Sequence, residues 1–260
     1  MEHFADMHVH STFSSDGVSR MEDYCKNAIQ REVFAICFSD HVDFNSAEKN
    51  LDHVKDNRMY NFNTDEYFSE IERLRRKYPT LMILSGIEFS EPHLFPAKFQ
   101  KYVELPFDCI IGSIHHCYNS VFPGDGNLSE EQAILEYYDI MIKTIQFGGF
   151  QVLAHFDFPK RFYKSWNVDS DIIDQVLFCA IKNDIILEIN TSTINAFPFA
   201  PMPSLSIVER YIALGGRRVT IGSDAHAVYQ LAQNFRKIET ELSHKVEIGY
   251  IKNRTFFSIS

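Results

Sequence analysis

Short apolar runs and amphipathic stretches take turns along the chain. Runs at Phe4–Val9, Phe34–Ser39, Leu81–Ile87, Asp108–Ile114, Gln151–Ala154, Ile185–Ile189 and Arg218–Ile221 read as strands. Several are continuously apolar, as in Leu81-Met82-Ile83-Leu84 and Ile185-Ile186-Leu187, which is the pattern of parallel strands covered by helices. The stretches between them have helical spacing. Met21, Tyr24, Cys25, Ala28 and Ile29 share one face of the first, and Thr64 followed by Asp65 and Glu66 predicts an N-cap with acids in the first turn. Ser129 with Gln132 spells a capping box for a helix carrying Ile134, Tyr138, Met141, Ile142 and Ile145, stopped by Gly148-Gly149. Ser170 to Asn183 carries Ile172, Ile173, Val176, Leu177 and Ala180 on one side. Ser206 with Glu209 opens another helix, which stops at Gly215-Gly216, and a last helix is predicted from about Val228 to Thr240.

Seven strands in βα alternation, without a glycine-rich phosphate loop after the first, predict an α/β barrel rather than a dinucleotide-binding sheet. No internal repeat or Gly/Ser linker interrupts the pattern, so residues 1–260 are expected to form a single domain. The long segments at 42–63, 89–106, 116–128 and 190–203 follow strands, and in a barrel they would lie on the catalytic face.

Composition narrows the class. The chain is 45% hydrophobic and 23% charged, which is globular rather than disordered or fibrous. Its five cysteines (25, 37, 109, 117 and 179) show no Cys-x-x-Cys spacing and read as reduced thiols of a cytoplasmic protein. Lys plus Arg total 25 against 35 Asp plus Glu, a net charge of −10, which is the wrong field for sequence-independent binding of nucleic acid or anionic membrane. No apolar run approaches the ~18 residues of a membrane span, and the first residues do not resemble a secretory leader.

The candidate chemistry lies in the histidines. Of 11, most stand at the ends of predicted strands: Asp6-Met7-His8-Val9-His10 at the first, Ser39-Asp40-His41 at the second, Gly112-Ser113-Ile114-His115 at the fourth, Ala154-His155-Phe156-Asp157 at the fifth and Gly222-Ser223-Asp224-Ala225-His226 at the seventh. Gly86-Ile87-Glu88 closes the third. A period of two puts His8 and His10 on one face, with Asp6 below them. Each position alone reads as a polar strand end. Together they converge, because the C-terminal ends of barrel strands share one rim. Imidazoles mixed with carboxylates and no thiolate suit Zn, Fe or Mn, and so many donors imply two or three divalent ions.

At these residues the chain resembles the PHP (polymerase and histidinol phosphatase) family. The resemblance rests on the ordered motifs Asp-x-His-x-His, Ser-Asp-His, Gly-Ile-Glu, Gly-Ser-Ile-His, Ala-His-x-Asp and Gly-Ser-Asp-Ala-His, which span nearly the whole chain. Ala154-His155-Phe156-Asp157 followed by Lys160-Arg161, and Glu188-Ile189-Asn190-Thr191-Ser192, are similar to its histidinol-phosphatase branch. The resemblance implies a distorted (β/α)7 barrel holding three metals. Carried over by motif, His8, His10, Glu88 and Asp224 would hold the first, Glu88 would bridge to a second held with His115 and His155, and Asp16, His41 and His226 would hold the third. Of the adjacent pair, the motif selects His115, since on an extended backbone His116 faces the other way. Asp6 would orient a ligand histidine, and Asp125 is not expected to serve. The stretch from Asn190 to Pro203 departs from the branch in having no Lys or Arg, which leaves Arg161, or Lys160, as the cationic phosphate clamp. Asn190 is expected beside the substrate.

The implied reaction is hydrolysis of a small phosphomonoester, most specifically L-histidinol phosphate in histidine biosynthesis. A metal-bridging hydroxide beside Glu88 would attack phosphorus, with Asp157 or His41 giving a proton to the leaving group. Three divalent ions against three carboxylates and one hydroxide leave a positive surplus that a monoester dianion neutralises and a diester monoanion matches less well. The alternatives are a phosphatase of another small phosphomonoester or of phosphotyrosine, and, from a different class, a phosphodiesterase or nuclease. Aromatic loop residues (Phe122, Phe162, Tyr163, Trp166, Phe197 and Phe199) are candidates for the leaving-group pocket.

Overall fold

The computed structural model describes residues 4–44, 61–118, 128–163, 165–242 and 244–259. Phe122 and Asp125 lie outside the described residues. One sheet runs through the molecule in chain order: β1 (Phe4–Val9), β2 (Val33–Val42), β3 (Met82–Ser90), β4 (Cys109–Ser113), β5 (Val152–Leu153), β6 (Ile186–Asn190), β7 (Arg218–Gly222), β8 (Glu247–Lys252) and β9 (Thr255–Ser258). Every neighbouring pair up to β8 is parallel, and only β9 is antiparallel. The sheet curls back on itself, so that β8 packs beside β1 and the residues after β7 reach the end of β1. There Val9 and Ala225 form a parallel bridge, with His10 N–H donating to the Ala225 carbonyl at 2.9 Å.

Among the described residues the helices are α1 (Met21–Gln30), α2 (Thr64–Lys77), α3 (Pro96–Val103), α4 (Glu130–Phe147), α5 (Ser170–Lys182), α6 (Leu205–Ala213) and α7 (Phe235–Leu242). The capping box of Ser129 and Gln132 starts α4 as expected, and Gly148, at φ 70°, ends it. Other boundaries move. The N-cap of α2 is Asn63, whose side chain accepts from the N–H groups of Asp65 and Glu66, and Thr64 is the first helical residue. Helix α6 begins after Ser204, so Ser206 and Glu209 lie within it. The single helix expected over 228–240 is split: a short 3-10 turn covers Val228–Gln230, and left-handed φ values at Ala232 (50°) and Asn234 (63°) separate it from α7. Helix α3 lies inside the segment at 89–106 that reads from sequence as an insertion.

The sheet also exceeds the seven expected strands. Strands β8 and β9 were not legible because their turn, Asn253-Arg254, lacks glycine although both residues take positive φ (47° and 62°), the requirement that usually selects Asn-Gly. Asp108 supplies the missing constraint, accepting Asn253 N–H on its side chain (3.1 Å) and Arg254 N–H on its carbonyl (2.8 Å).

Two apolar layers position the site. The larger lies between sheet and helices and includes Ile36, Phe38, Ile110, Leu187, Ile71, Tyr137, Ile173 and Val208. The smaller lines the inner face, with Ala5, Met7, Ala35, Cys37, Leu84, Cys109, Ile111, Val152 and Ile186, and β8–β9 add Ile251, Tyr250 and Phe256. Two-residue alternation extends these inner rows towards the strand ends: Cys37 to Ser39 and His41, Leu84 to Gly86 and Glu88, Ile111 to Ser113 and His115, Ile186 to Glu188 and Asn190. No helix of the described residues is long and apolar enough to cross a membrane.

Candidate metal centre

In β1 the alternation breaks, and this break builds the site. Asp6 pairs with Ile36 and Val9 with Phe38, so β1 spends one more residue than β2 over the interval. Such a bulge re-aims side chains. Ala5 and Met7 stay in the inner layer, and His8 and His10 turn onto the same cluster just above it. Asp6 is therefore not below the two histidines. Its carboxylate accepts backbone N–H groups from Ser223 (2.9 Å), Ala232 (2.8 Å) and His8 (3.3 Å), tying β1 to the segment after β7. Asp6, expected to orient a ligand histidine, meets His8 through its backbone N–H and not its ring.

Glu88 is the centre of the cluster and is buried. Its Oε2 lies 3.3 Å from His8 Nε2, 3.5 Å from His10 Nε2 and 2.9 Å from His41 Nδ1. Its Oε1 lies 3.3 Å from His115 Nε2 and 2.8 Å from His155 Nε2. Asp224 Oδ1 stands 3.3 Å from His10 Nε2 and 3.9 Å from His8 Nε2. Asp16 lies further out, half exposed, with Oδ2 at 3.1 Å from His226 Nε2 and 3.5 Å from His41 Nε2. The structure thus brings together His8, His10, Asp16, His41, Glu88, His115, His155, Asp224 and His226. Donor atoms of His8, His10 and Glu88, of His41, Glu88 and His115, and of His10, His41 and His226 lie within 4.8 Å of one another in each group.

The hydrogen bonds behind the rings decide which edges face the cluster. Glu188 Oε1 accepts from His8 Nδ1 at 2.6 Å. The Ser14 hydroxyl donates to Asp40 at 2.8 Å, so it is left to accept from His10 Nδ1 (3.1 Å) and from His41 N–H (3.0 Å). Both histidines therefore present Nε2 inward. These two atoms and Glu88 Oε2 are buried and make no hydrogen bond of acceptable geometry. Polar atoms that approach one another without hydrogen bonding are costly, and the cost vanishes when a cation sits among them. The donor set fits divalent metal ions.

Electrostatics agree with this. Burial pushes Glu88 towards its neutral form, but the charges of His8, His115 and His41 outweigh it and hold the carboxyl well below the usual range. Asp224 is likewise held low, burial being overcome by the nearby His10, His8 and Arg161. Burial would also neutralise His8, yet Glu188, Glu88 and Asp224 keep it well above an ordinary histidine. His10 goes the other way, pushed well down by burial and by His41 and His226. A cation can occupy the place that a proton on His8 takes.

The remaining expected residues fall around this centre. Arg161 Nη2 donates to Ser192 Oγ at 2.7 Å and to Asp224 Oδ2 at 2.8 Å, and its guanidinium lies over the Phe158 ring at 5.0 Å. Lys160 Nζ is 3.5 Å from Asp157 Oδ2. Asp157 is buried, which pushes its carboxyl up to about 6 against the opposing pull of Lys160. Its contacts are with Lys160 and the backbone of Ser204, not with the nine clustered residues. Asn190 is fully buried, donating to Glu188 Oε2 (3.2 Å) and accepting from Ser192 Oγ (2.6 Å), so it braces neighbours. Tyr163 and Trp166 stack on each other at 5.4 Å, whereas Phe162, Phe197 and Phe199 are exposed. His116 points away from Glu88, onto Glu91.

Glu188 and Ser14 have ring-orienting roles that the motifs did not reveal. A signal for Glu188 did exist: it is an acid inside the apolar run Ile185–Ile189, in step with Asn190. Gly222 belongs with it, because a Cβ there would meet the Glu188 carboxylate and would lie 2.5 Å from His8 Cβ. Gly222→Ala is expected to force these groups apart, lowering stability by about 1–3 kcal/mol and weakening metal uptake. Thermal melts with and without added divalent metal check this, and an unchanged metal-induced shift contradicts it.

Comparison with known proteins identifies the family and the fold. The model of the PHP domain family matches residues 6–192. A probable histidinol-phosphatase of Thermotoga maritima is 31% identical over 238 residues, covering 91% of this chain and 90% of its own. A histidinol-phosphatase of Lactococcus lactis is 26% identical over 234 residues, covering 85% and 83%. The crystal structure of the Lactococcus lactis histidinol phosphate phosphatase, complexed with Zn, L-histidinol and phosphate, superposes with a TM-score of 0.86 over 99% of this chain and all of that one, at 22% identity, and so shares the fold. With a family model spanning most of its length and a relative matching it nearly end to end, this protein belongs to the PHP domain family.

Proposed function

We propose that the protein is a metal-dependent histidinol-phosphatase, hydrolysing L-histidinol phosphate to L-histidinol and phosphate. The observation that carries the reading is the inward-facing Nε2 edges of His8 and His10 around Glu88, fixed by Glu188 and Ser14 and joined at Asp224 to a guanidinium. The relatives named above supply the substrate class. Two or three ions (Zn, Fe or Mn) suit the nine donors: one at His8, His10, Glu88 and Asp224, a second at Glu88, His115 and His155, a third at Asp16, His41 and His226. When bound, such ions supply Lewis acidity and lower the pKa of water.

The chain's own residues do the rest. Glu88 offers one oxygen to each of two donor groups and holds them in register. Arg161, anchored through one nitrogen by Ser192 and Asp224, has further N–H donors for a phosphoryl oxygen, and its Nε makes no hydrogen bond of its own. Lys160 adds positive charge in the same segment. His41, held between Glu88 and Asp16, and the buried Asp157, paired with Lys160, are the two candidate proton donors.

The test is phosphate release by metal-analysed protein with L-histidinol phosphate, phosphotyrosine and p-nitrophenyl phosphate. L-histidinol phosphate is expected to have a kcat/KM at least about tenfold above the others, a difference of about 1.4 kcal/mol in transition-state binding. Chelation should remove activity and divalent metal should restore it. Faster turnover of phosphotyrosine would reassign the substrate, and activity that survives complete metal removal would end the metal-dependent reading.

A further inference from the structure

Behind His115 lies a second buried group of ionisable residues, Asp43, Glu91 and His116, which the proposed reaction does not use. Strand β4 ends at Ser113, and its neighbour β5 is only two residues long, pairing with Ile111 and Gly112. The chain at 115–116 therefore runs past the sheet. Glu91 takes the place of a neighbouring strand there. It follows β3 in a left-handed conformation (φ 43°), and its N–H donates to the Ser113 carbonyl at 2.9 Å. Its side-chain Oε1 accepts both the His115 N–H (2.6 Å) and the His116 N–H (2.9 Å). Its Oε2 accepts from Ser90 Oγ at 2.7 Å and faces His116 Nδ1 at 3.2 Å. Asp43 Oδ2 stands 3.8 Å from His115 Nδ1, the edge opposite the one that meets Glu88 and His155.

We infer that Glu91 and Asp43 are positioning residues for His115: Glu91 fixes its main chain, and Asp43 holds the Nδ1 edge so that Nε2 faces Glu88. The inference rests on the metal reading above. Donor atoms of Asp43, Glu91 and His116 also lie within 4.8 Å of one another, as a further cation site would require. Glu91, however, already accepts N–H and O–H donors on both oxygens, which is the work of a brace. Carboxylates behind ligating histidines typically change metal affinity ~10–100-fold.

The experiment is a competition titration of apo protein with Zn2+ against a chromophoric chelator, for wild type, Glu91→Ala, Glu91→Gln, Asp43→Asn and His116→Ala, with far-UV circular dichroism on each. One ion is expected to bind roughly tenfold to hundredfold more weakly in Glu91→Ala and in Asp43→Asn. Glu91→Gln, whose amide oxygen still accepts both N–H groups, should recover most of that loss, and His116→Ala should stay near wild type. If Glu91→Ala does not fold, Asp43→Asn, which is isosteric, decides. Wild-type affinity for every ion in both Glu91→Ala and Asp43→Asn overturns the inference and leaves the metal reading standing. Selective loss of an ion in His116→Ala overturns it in favour of direct coordination. A wild-type protein that takes up no Zn2+ ends the metal reading itself.

Discussion

Glu88→Gln is expected to abolish turnover while leaving the fold in place. The substitution keeps shape and volume in a buried position, so the inner layer beneath it, from Leu84 upward, stays packed. It removes the one charge that faces His8, His10, His41, His115 and His155 together. An amide offers a ligating oxygen on one side only and presents N–H to the other, so at least one of the two donor groups would lose the oxygen it shares through Glu88. Loss of the shared carboxylate should cost on the order of 10³-fold or more in kcat/KM, above about 4 kcal/mol, because metal-ion catalysis supplies several kcal/mol by itself. The checks are phosphate release and metal stoichiometry on the same folded sample. A variant within tenfold of wild type would show that Glu88 is not the hub.

Arg161→Ala should act mainly on substrate affinity. A charge-assisted hydrogen bond is worth roughly 1.5–3 kcal/mol, so KM for a phosphomonoester is expected to rise about tenfold to hundredfold, with a smaller change in kcat. The guanidinium also contacts Asp224, so metal content must be measured beside KM. Excess metal that restores KM would make Arg161 a support for Asp224 alone. A raised KM at full metal occupancy identifies it as the phosphate clamp. A thermal melt on the same sample separates either outcome from a loss of stability, since Arg161 is part-buried against Asp224 and the Phe158 ring.

Much of this site could be read before any fold was known. The strands were legible because a covered parallel strand needs an unbroken apolar run, and Leu81–Leu84 or Ile185–Leu187 have few other uses. Residues at strand ends were legible because strands of one parallel sheet deliver them to one rim, and the resemblance in motif order then sorted His115 from His116. The boundaries that failed were local choices settled elsewhere. Asn63 outcompeted Thr64 as a cap, and the helix expected over 228–240 breaks at Ala232, whose N–H is drawn to Asp6 at the other end of the chain. Strands β8 and β9 escaped because their turn is stabilised by Asp108 rather than by a glycine.

The sequence by itself determined the types of donor, their order along the chain and the strands that carry them, since all three depend on near neighbours and on a period of two. Only the tertiary structure decided which atoms face one another. His8 and Glu188 are 180 positions apart, yet the 2.6 Å contact between them settles which nitrogen of His8 turns inward. The bulge in β1, which turns His8 and His10 inward while Asp6 goes to the backbone of Ser223 and Ala232, exists only in register with β2. Orientation is a property of pairs brought together from distant parts of the chain, and no local pattern encodes it.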